Sequence, residues 1–339
     1  MAYKRSNGKL QRRKKMEPAV KTLFFNTETA SSQAPRISYI DLSQVASLVN
    51  RRFYRQGINW VVAGFKITSP VNGSVVINKL PETWVMHNAW KKGFAVWDRM
   101  NKQALAENES IRPRFLDFKI YADAEHHTLG FGENLLPRSV NAAATIEATA
   151  GEWEASKIVT PQTTFSPGQA TSLEIIATGA NNPGPGHSGL DAKSLIEGYA
   201  ASRALPAVVD PNVPDDASID AENWMMSLFN DGTKQDSYVI DDMVSENNIA
   251  PYPFEDDGTN LDTMYPGGAN QLSGLQLHDF ATITGTTVGG ITYLKGGEFP
   301  CGLIKIEHSV AGATSGNLGI QIDLVPGTHR GYMCEPMGA

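Results

Sequence analysis

The chain has 339 residues, 41% of them hydrophobic, and a formal net charge of -7. That hydrophobic content can build a sizeable core and excludes a wholly disordered chain, while 31 Gly and 19 Pro favour turns and long loops over a helical design. Two cysteines, Cys301 and Cys334, make no disulfide framework. With no apolar run near the roughly 18 residues of a membrane span and no apolar signal segment, the expectation is a soluble protein made inside the cell.

The first fifteen residues, MAYKRSNGKLQRRKK, hold Lys4, Arg5, Lys9, Arg12, Arg13, Lys14 and Lys15 and no acid, so the rest of the chain carries 22 basic against 36 acidic residues. No hydrophobic periodicity runs through residues 1–20, and such a segment buries too little apolar surface to offset its ordering entropy. The expectation is a flexible basic arm over 1–20 followed by one domain over 21–339.

TLFFNTE (22–28) reads as a short strand, and Asp41 caps a helix with Leu42, Val45, Val49 and Phe53 on one face. NWVVAGFKIT (59–68) and GSVVINKL (73–80) read as strands joined by a turn. Residues 83–107 predict a helix with Met86, Trp90, Phe94, Trp97, Met100 and Ala104 along one face, a stripe suited to packing on a sheet; Gly93 weakens it. RFLDFKIYADA (114–124) alternates with period two, 144–159 reads as strand, turn and strand, 172–179 as a strand and 190–205 as a helix.

Residues 205–270 hold fourteen Asp or Glu against the single Lys234, an acidic, loop-rich insertion with a short helical piece near 222–229. Strands return at 273–286, 301–310 and 317–327. About eight strands without a helix after each one exclude a doubly wound sheet. They point to an all-β fold, a two-sheet antiparallel sandwich of jelly-roll type with inserted helices and long loops.

Motifs for catalysis are weak. Gly184-Pro-Gly-His-Ser-Gly189 satisfies G-x-G-x-x-G, but it stands away from the strand end, and Pro183 and Pro185 remove donors where a phosphate needs them. His126 and His127 are adjacent and would point to opposite faces of a strand, no zinc or Walker motif occurs, and 255–262 offers oxygen ligands for Ca²⁺ without EF-hand spacing. Asn72-Gly-Ser and Asn108-Glu-Ser match the glycosylation sequon by chance if the chain is not secreted. No enzyme, cofactor or metal site is expected.

The basic arm does point to a partner. Mobile Lys and Arg neutralise phosphates without fixed geometry, so sequence-independent nucleic-acid binding is its direct physical use; a nuclear import address is compatible, and membrane contact lacks an apolar anchor. A second cluster, Arg51-Arg52-Phe53-Tyr54-Arg55, interleaves cations with aromatics as single-strand binders do, or else ends a helix whose rings enter the core.

NRRFYRQG (50–57), KLPETWVMHNAWKKGFAVW (79–97), YPGGAN (265–270) and IDLVPGTHRGYMCEPM (322–337), in that order behind a basic arm, resemble the capsid proteins of small circular Rep-encoding single-stranded DNA (CRESS-DNA) viruses. The resemblance implies a single jelly-roll subunit, a T=1 icosahedral shell of identical copies and packaged circular single-stranded DNA. It also implies an arm facing inward on the genome and serving as a nuclear localisation signal, with the virion and the host nucleus as the protein's locations. Host import receptors and a surface receptor are further implied partners. The arm is shorter than in many such relatives, which adds interest to Arg51, Arg52 and Arg55. The other readings are a capsid protein of a small RNA virus and a non-viral jelly-roll module that binds nucleic acid or glycan.

Overall fold

Eight strands carry the architecture, as seen in a computed structural model; burial alternates residue by residue in Thr22–Asn26 and Gly319–Leu324, whereas Ser38–Asp41 and Leu303–Ile306 are buried on both faces. The structure describes residues 3–6, 9–12, 17–32, 34–106, 117–140, 145–161, 170–204, 274–284, 290–312 and 315–337. Of the described residues 42% are strand and 23% helix, so the fold is mostly β rather than all-β. The strands are β1 (Thr22–Asn26), β2 (Arg36–Asp41), β3 (Ile58–Thr68), β4 (Gly73–Lys79), β5 (Gln276–Ile283), β6 (Ile291–Phe299), β7 (Leu303–Val310) and β8 (Gly319–Leu324).

They form two sheets, ordered β6-β3-β8-β1 and β5-β4-β7-β2, and every neighbouring pair is antiparallel. A fifth short strand, Cys334–Pro336, also pairs with β3. One core joins them: Phe25, Trp60, Phe65, Phe299 and Ile322 from one sheet meet Ile40, Ile77, Ile283 and Ile306 from the other. This is sandwich packing, in which the inner faces of both sheets bury the same apolar layer. Two glycines show how close the strands run. A Cβ at Gly296 in β6 would overlap the Val62 and Ala63 carbonyl oxygens, and one at Gly73 in β4 would overlap that of Ser309.

Among the described residues four α-helices decorate the sheets: α1 (Leu42–Asn50) between β2 and β3, then α2 (Trp84–Ala104), α3 (Ala124–Leu129) and α4 (Leu195–Ala204) between β4 and β5. On α2, Met86, Trp90 and Trp97 of the stripe are buried and Phe94 and Met100 half-buried, in a cluster that holds Tyr39 of β2 and Leu303 of β7 together with insertion residues. Trp90 and Trp97 lie 6.0 and 5.3 Å from the Phe118 ring, and Met86 shares a second core with Ile196 and Tyr199 of α4. Gly93 has a packing reason, since a Cβ there would overlap Leu195 Cδ2 where α4 crosses.

Gly57, at φ 91° in the turn into β3, lies so close that a Cβ would overlap the Trp90 ring. Because an L-residue there meets both backbone strain and a rigid indole, Gly57→Ala is expected to cost about 2 kcal/mol, read as a lower urea midpoint. An unchanged midpoint would contradict this packing.

The 114–124 strand expectation is corrected. Asp117–Ile120 is irregular, Tyr121 makes only an isolated bridge to Ile176, and Asp123 caps α3 through a bond from the His126 N–H. Alternation alone misleads here because Phe118 and Ile120 are buried by α2 and Gln56, not by a ladder.

Within the arm, Tyr3–Ser6 and Lys9–Arg12 pair antiparallel, with Ser6 opposite Lys9. The two residues between them are Asn7-Gly8, the commonest hairpin turn dipeptide, a signal easily passed over in a cationic segment. The acidic insertion expected over 205–270, with the helical piece expected near 222–229 and the oxygen-rich run 255–262, lies outside the described residues.

Candidate nucleic-acid interface

The segment 51–55 owes its position to Asp41. This carboxylate is fully buried at the N-terminus of α1, where Oδ1 accepts the Ser43 and Gln44 N–H groups at 2.9 and 3.3 Å. Its Oδ2 accepts Gln56 Nε2 and Trp153 Nε1, both at 3.0 Å. Burial pushes the Asp41 pKa up to about 7 against the pull of these four donors. Gln56 in turn clamps the backbone of Ile120, taking its N–H at 2.7 Å and giving to its carbonyl at 3.1 Å. Asp41 therefore caps the N-terminus of α1 and holds Gln56 beyond its exit loop, and through Gln56 and Trp153 it ties that loop to the irregular segment carrying Lys119.

Helix α1 ends on Arg51, which takes a left-handed backbone (φ 51°, ψ 37°) where glycine is the usual residue. Among the described residues Arg51 has no hydrogen bond or ion pair, and its side chain lines a groove of about 1020 Å³ that runs along β1 past the exposed ring of Phe24. The other cations of that groove are paired, Lys66 with Asp323 at 3.0 Å and Arg138 with Glu147 at 3.0 Å.

Arg52 is exposed and ion-paired with exposed Glu17, a contact of little stability worth that a phosphate can replace. Phe53 is half exposed and rests against Trp153 (6.2 Å between centroids), with Lys119 Nζ 4.6 Å from the Trp153 ring. Tyr54 turns into the core between Trp60 and Tyr332, and Arg55 is exposed near Asp117. So the pentapeptide divides: Tyr54 is a core residue, and the other four face outward.

A second segment reaches the same place. Arg330, also left-handed at φ 49°, donates to the Phe53 carbonyl, and its own carbonyl accepts the Tyr54 hydroxyl at 2.9 Å. NRRFYRQG and GTHRGYM, two segments that carried the resemblance, thus meet in one face. Arg51, Arg52, Arg55 and Arg330 are exposed there, Arg52 paired with Glu17, while Lys119 lies beneath them with its side chain 13% exposed and paired with Asp117 at 2.8 Å; Glu152 and Glu154, next to Trp153 in sequence, are exposed.

The arm leaves from this face. Asn50 Oδ1 accepts the Val20 N–H at 2.9 Å, the Tyr332 hydroxyl donates to the Val20 carbonyl, and Gly331 leaves no room for a side chain beside Glu17 and Ala19. Of the expected nucleic-acid ligands, Lys4, Arg5, Lys9 and Arg12 belong to the arm's paired strands, Arg13, Lys14 and Lys15 lie outside the described residues, and Arg51, Arg52 and Arg55 lie at the arm's root. Lys119, Trp153 and Arg330 were not among the expected site residues. They are distant in sequence, and nothing local to them signals a surface role.

No protein-family model, curated protein or solved structure matches the chain.

Elsewhere the groups that suggest chemistry are used internally. In 184–189 the Gly184 N–H binds Asp191 Oδ1, the Gly186 N–H the Leu190 carbonyl and the His187 N–H the His127 carbonyl, so these donors turn inward rather than toward a phosphate. His126 and His127 lie on α3 instead of a strand. His126 bonds Asn134 at 2.9 Å and His127 bonds Glu174 at 2.9 Å, both buried. Among the described residues no group of three or more His, Cys, Asp or Glu could hold a metal, and no helix is long and apolar enough to cross a membrane.

Proposed function

We propose that this chain is the coat protein of a small single-stranded DNA virus of the CRESS type, a jelly-roll subunit that assembles with identical copies into a T=1 icosahedral shell around its genome. The observation that carries the reading is strand order. The first, third, sixth and eighth strands make one sheet and the second, fourth, fifth and seventh the other, which is the arrangement two interlocked Greek keys produce in an eight-stranded jelly roll. A basic arm enters immediately before the first strand, rooted on the cationic face of Arg51, Arg52, Arg55 and Arg330.

Two further features favour tiling over a solitary module. The outer strands β5 and β6 expose large apolar side chains, Leu277, Phe280 and Tyr293, of the kind that partner subunits cover. Charge is also segregated, with +7 in the first fifteen residues and the excess of acid in the body, so polyanion and neighbouring subunits meet different parts of the chain. Purified protein is expected to sediment as a uniform large particle and to show round shells in negative-stain electron microscopy. Monomers or dimers alone, with nucleic acid present, would overturn the assignment.

A further inference from the structure

We propose that Arg51 steers an unpaired nucleic-acid strand between two exposed rings, with bases stacking on Phe53 on one side and on Phe24 in the groove along β1 on the other, and a phosphate held by the Arg51 guanidinium. The inference deepens the packaging reading and rests on it: it adds recognition of unpaired bases by the folded body to the charge-driven binding expected of the arm.

Three independent observations lead to it. Phe53 is 48% exposed, with Lys119, itself paired to Asp117, 6.0 Å from its ring, and Phe24 is 52% exposed in the groove that Arg51 lines; an exposed aromatic face with a guanidinium in reach suits a base followed by its phosphate. A duplex keeps its bases stacked on each other and has no free face to offer, so such rings discriminate between one strand and two. Secondly, Arg51 is the groove's unpaired cation among the described residues, because Lys66 and Arg138 are held by Asp323 and Glu147.

Thirdly, the backbone is strained where these cations sit. Four non-glycine residues have positive φ among the described residues, and two of them, Arg51 and Arg330, belong to this face. Glycine at position 51 would end α1 at lower cost, so the arginine stands there against local backbone preference.

That strain gives a test that a structural role does not mimic. Full-length protein is titrated by fluorescence anisotropy into labelled oligo(dT) and a duplex of equal length, over a range of salt, with Arg51→Gly, Phe53→Ala and Phe53→Trp variants. Phe53→Ala is expected to weaken single-strand binding about 5- to 100-fold with the salt slope unchanged, Phe53→Trp to restore it, and duplex binding to move little. Arg51→Gly is expected to lower single-strand affinity and reduce the salt slope by about one while raising the urea midpoint.

Equal affinity for one strand and two, with Phe53→Ala without effect, overturns the stacking proposal and leaves charge-driven packaging standing. No binding to either nucleic acid overturns the packaging reading itself. A lower urea midpoint for Arg51→Gly shows that Arg51 is kept for the fold and also rejects the proposal. Photocrosslinking of iodouridine-labelled oligonucleotide should map to Phe53 or Phe24, and crosslinks confined to residues 1–15 count against it.

Discussion

Removing residues 1–15 is expected to lower the salt dependence of single-stranded DNA binding by about five units of slope, since seven cations each release about 0.7 of a counterion from a single strand. At physiological salt this corresponds to a loss of roughly three or more orders of magnitude in affinity. In the proposed shell the consequence is particles that still assemble but carry far less nucleic acid, measured as the ratio of absorbance at 260 and 280 nm in purified particles. Assembly should survive, because both sheets and their core begin at Thr22 and the root is held at Val20 by Asn50 and Tyr332, beyond the deletion. Unchanged nucleic-acid content after the deletion would mean that the arm has another task and that the body face packages alone.

The second large effect concerns two buried groups with opposite pH dependence. Asp41 has its pKa raised by burial from 3.8 to about 7, so the folded state favours the protonated acid. The stability it contributes is full below pH 3.8 and is lost as pH rises toward 7, by about 4 kcal/mol in all. His126 has its pKa lowered by burial from 6.5 to about 4. Its Nδ1 already accepts the Ala122 N–H at 3.1 Å, leaving no room for a second proton there, so its contribution is full above pH 6.5 and is lost as pH falls toward 4.

Between pH 4 and 6.5 the two slopes oppose and largely cancel. The groups also share a chain of contacts, Asp41 to the Gln44 N–H, Gln44 Oε1 to Asn134 Nδ2 at 2.9 Å, and Asn134 Oδ1 to His126. Asp123 and Lys305 flank the same histidine, and Asp123 also takes the Tyr39 hydroxyl at 2.7 Å. Each single variant should therefore unmask the other group. His126→Asn is expected to fall in stability as pH rises from 4 to 6.5, relative to the parent protein, and Asp41→Asn to rise, each by about 1.4 kcal/mol per pH unit. Urea midpoints across pH 4–7.5 measure this, and profiles parallel to the parent's would sink the account.

This network bears on the proposed interface because it holds Trp153 against Phe53. If Asp41→Asn turns Trp153 loose, stacking by Phe53 should weaken with it, a coupling between the two experiments that a purely superficial Phe53 would lack.

Much of the architecture is legible in the sequence because strand and helix periods are local. β3, β4, β7 and β8 are read within a few residues of their bounds, and the Asp41 cap, α1 and α2 follow from side-chain chemistry and spacing alone. β2 and β6 escape notice. RISYID is short and half polar, and ITYLKGGEF is interrupted by Gly296, whose lack of a side chain makes sense only against the Val62 and Ala63 carbonyls of the neighbouring strand. The same holds for Gly93, a defect in an isolated helix and a requirement where α4 crosses it.

By itself the sequence determined the separation of charge, the prevalence of strands and the aromatic stripe, each a property of residues near one another along the chain. Only the tertiary structure decided which strands became neighbours, that Tyr54 turned inward while Phe53 stayed out, and that Lys119, Trp153 and Arg330 joined the Arg51–Arg55 face. Those outcomes depend on groups as far apart as Phe53 and Arg330, brought together by burial and by hydrogen bonds to one buried carboxylate and one backbone loop. No local pattern encodes such pairings, because their free energy exists only once both partners are in place.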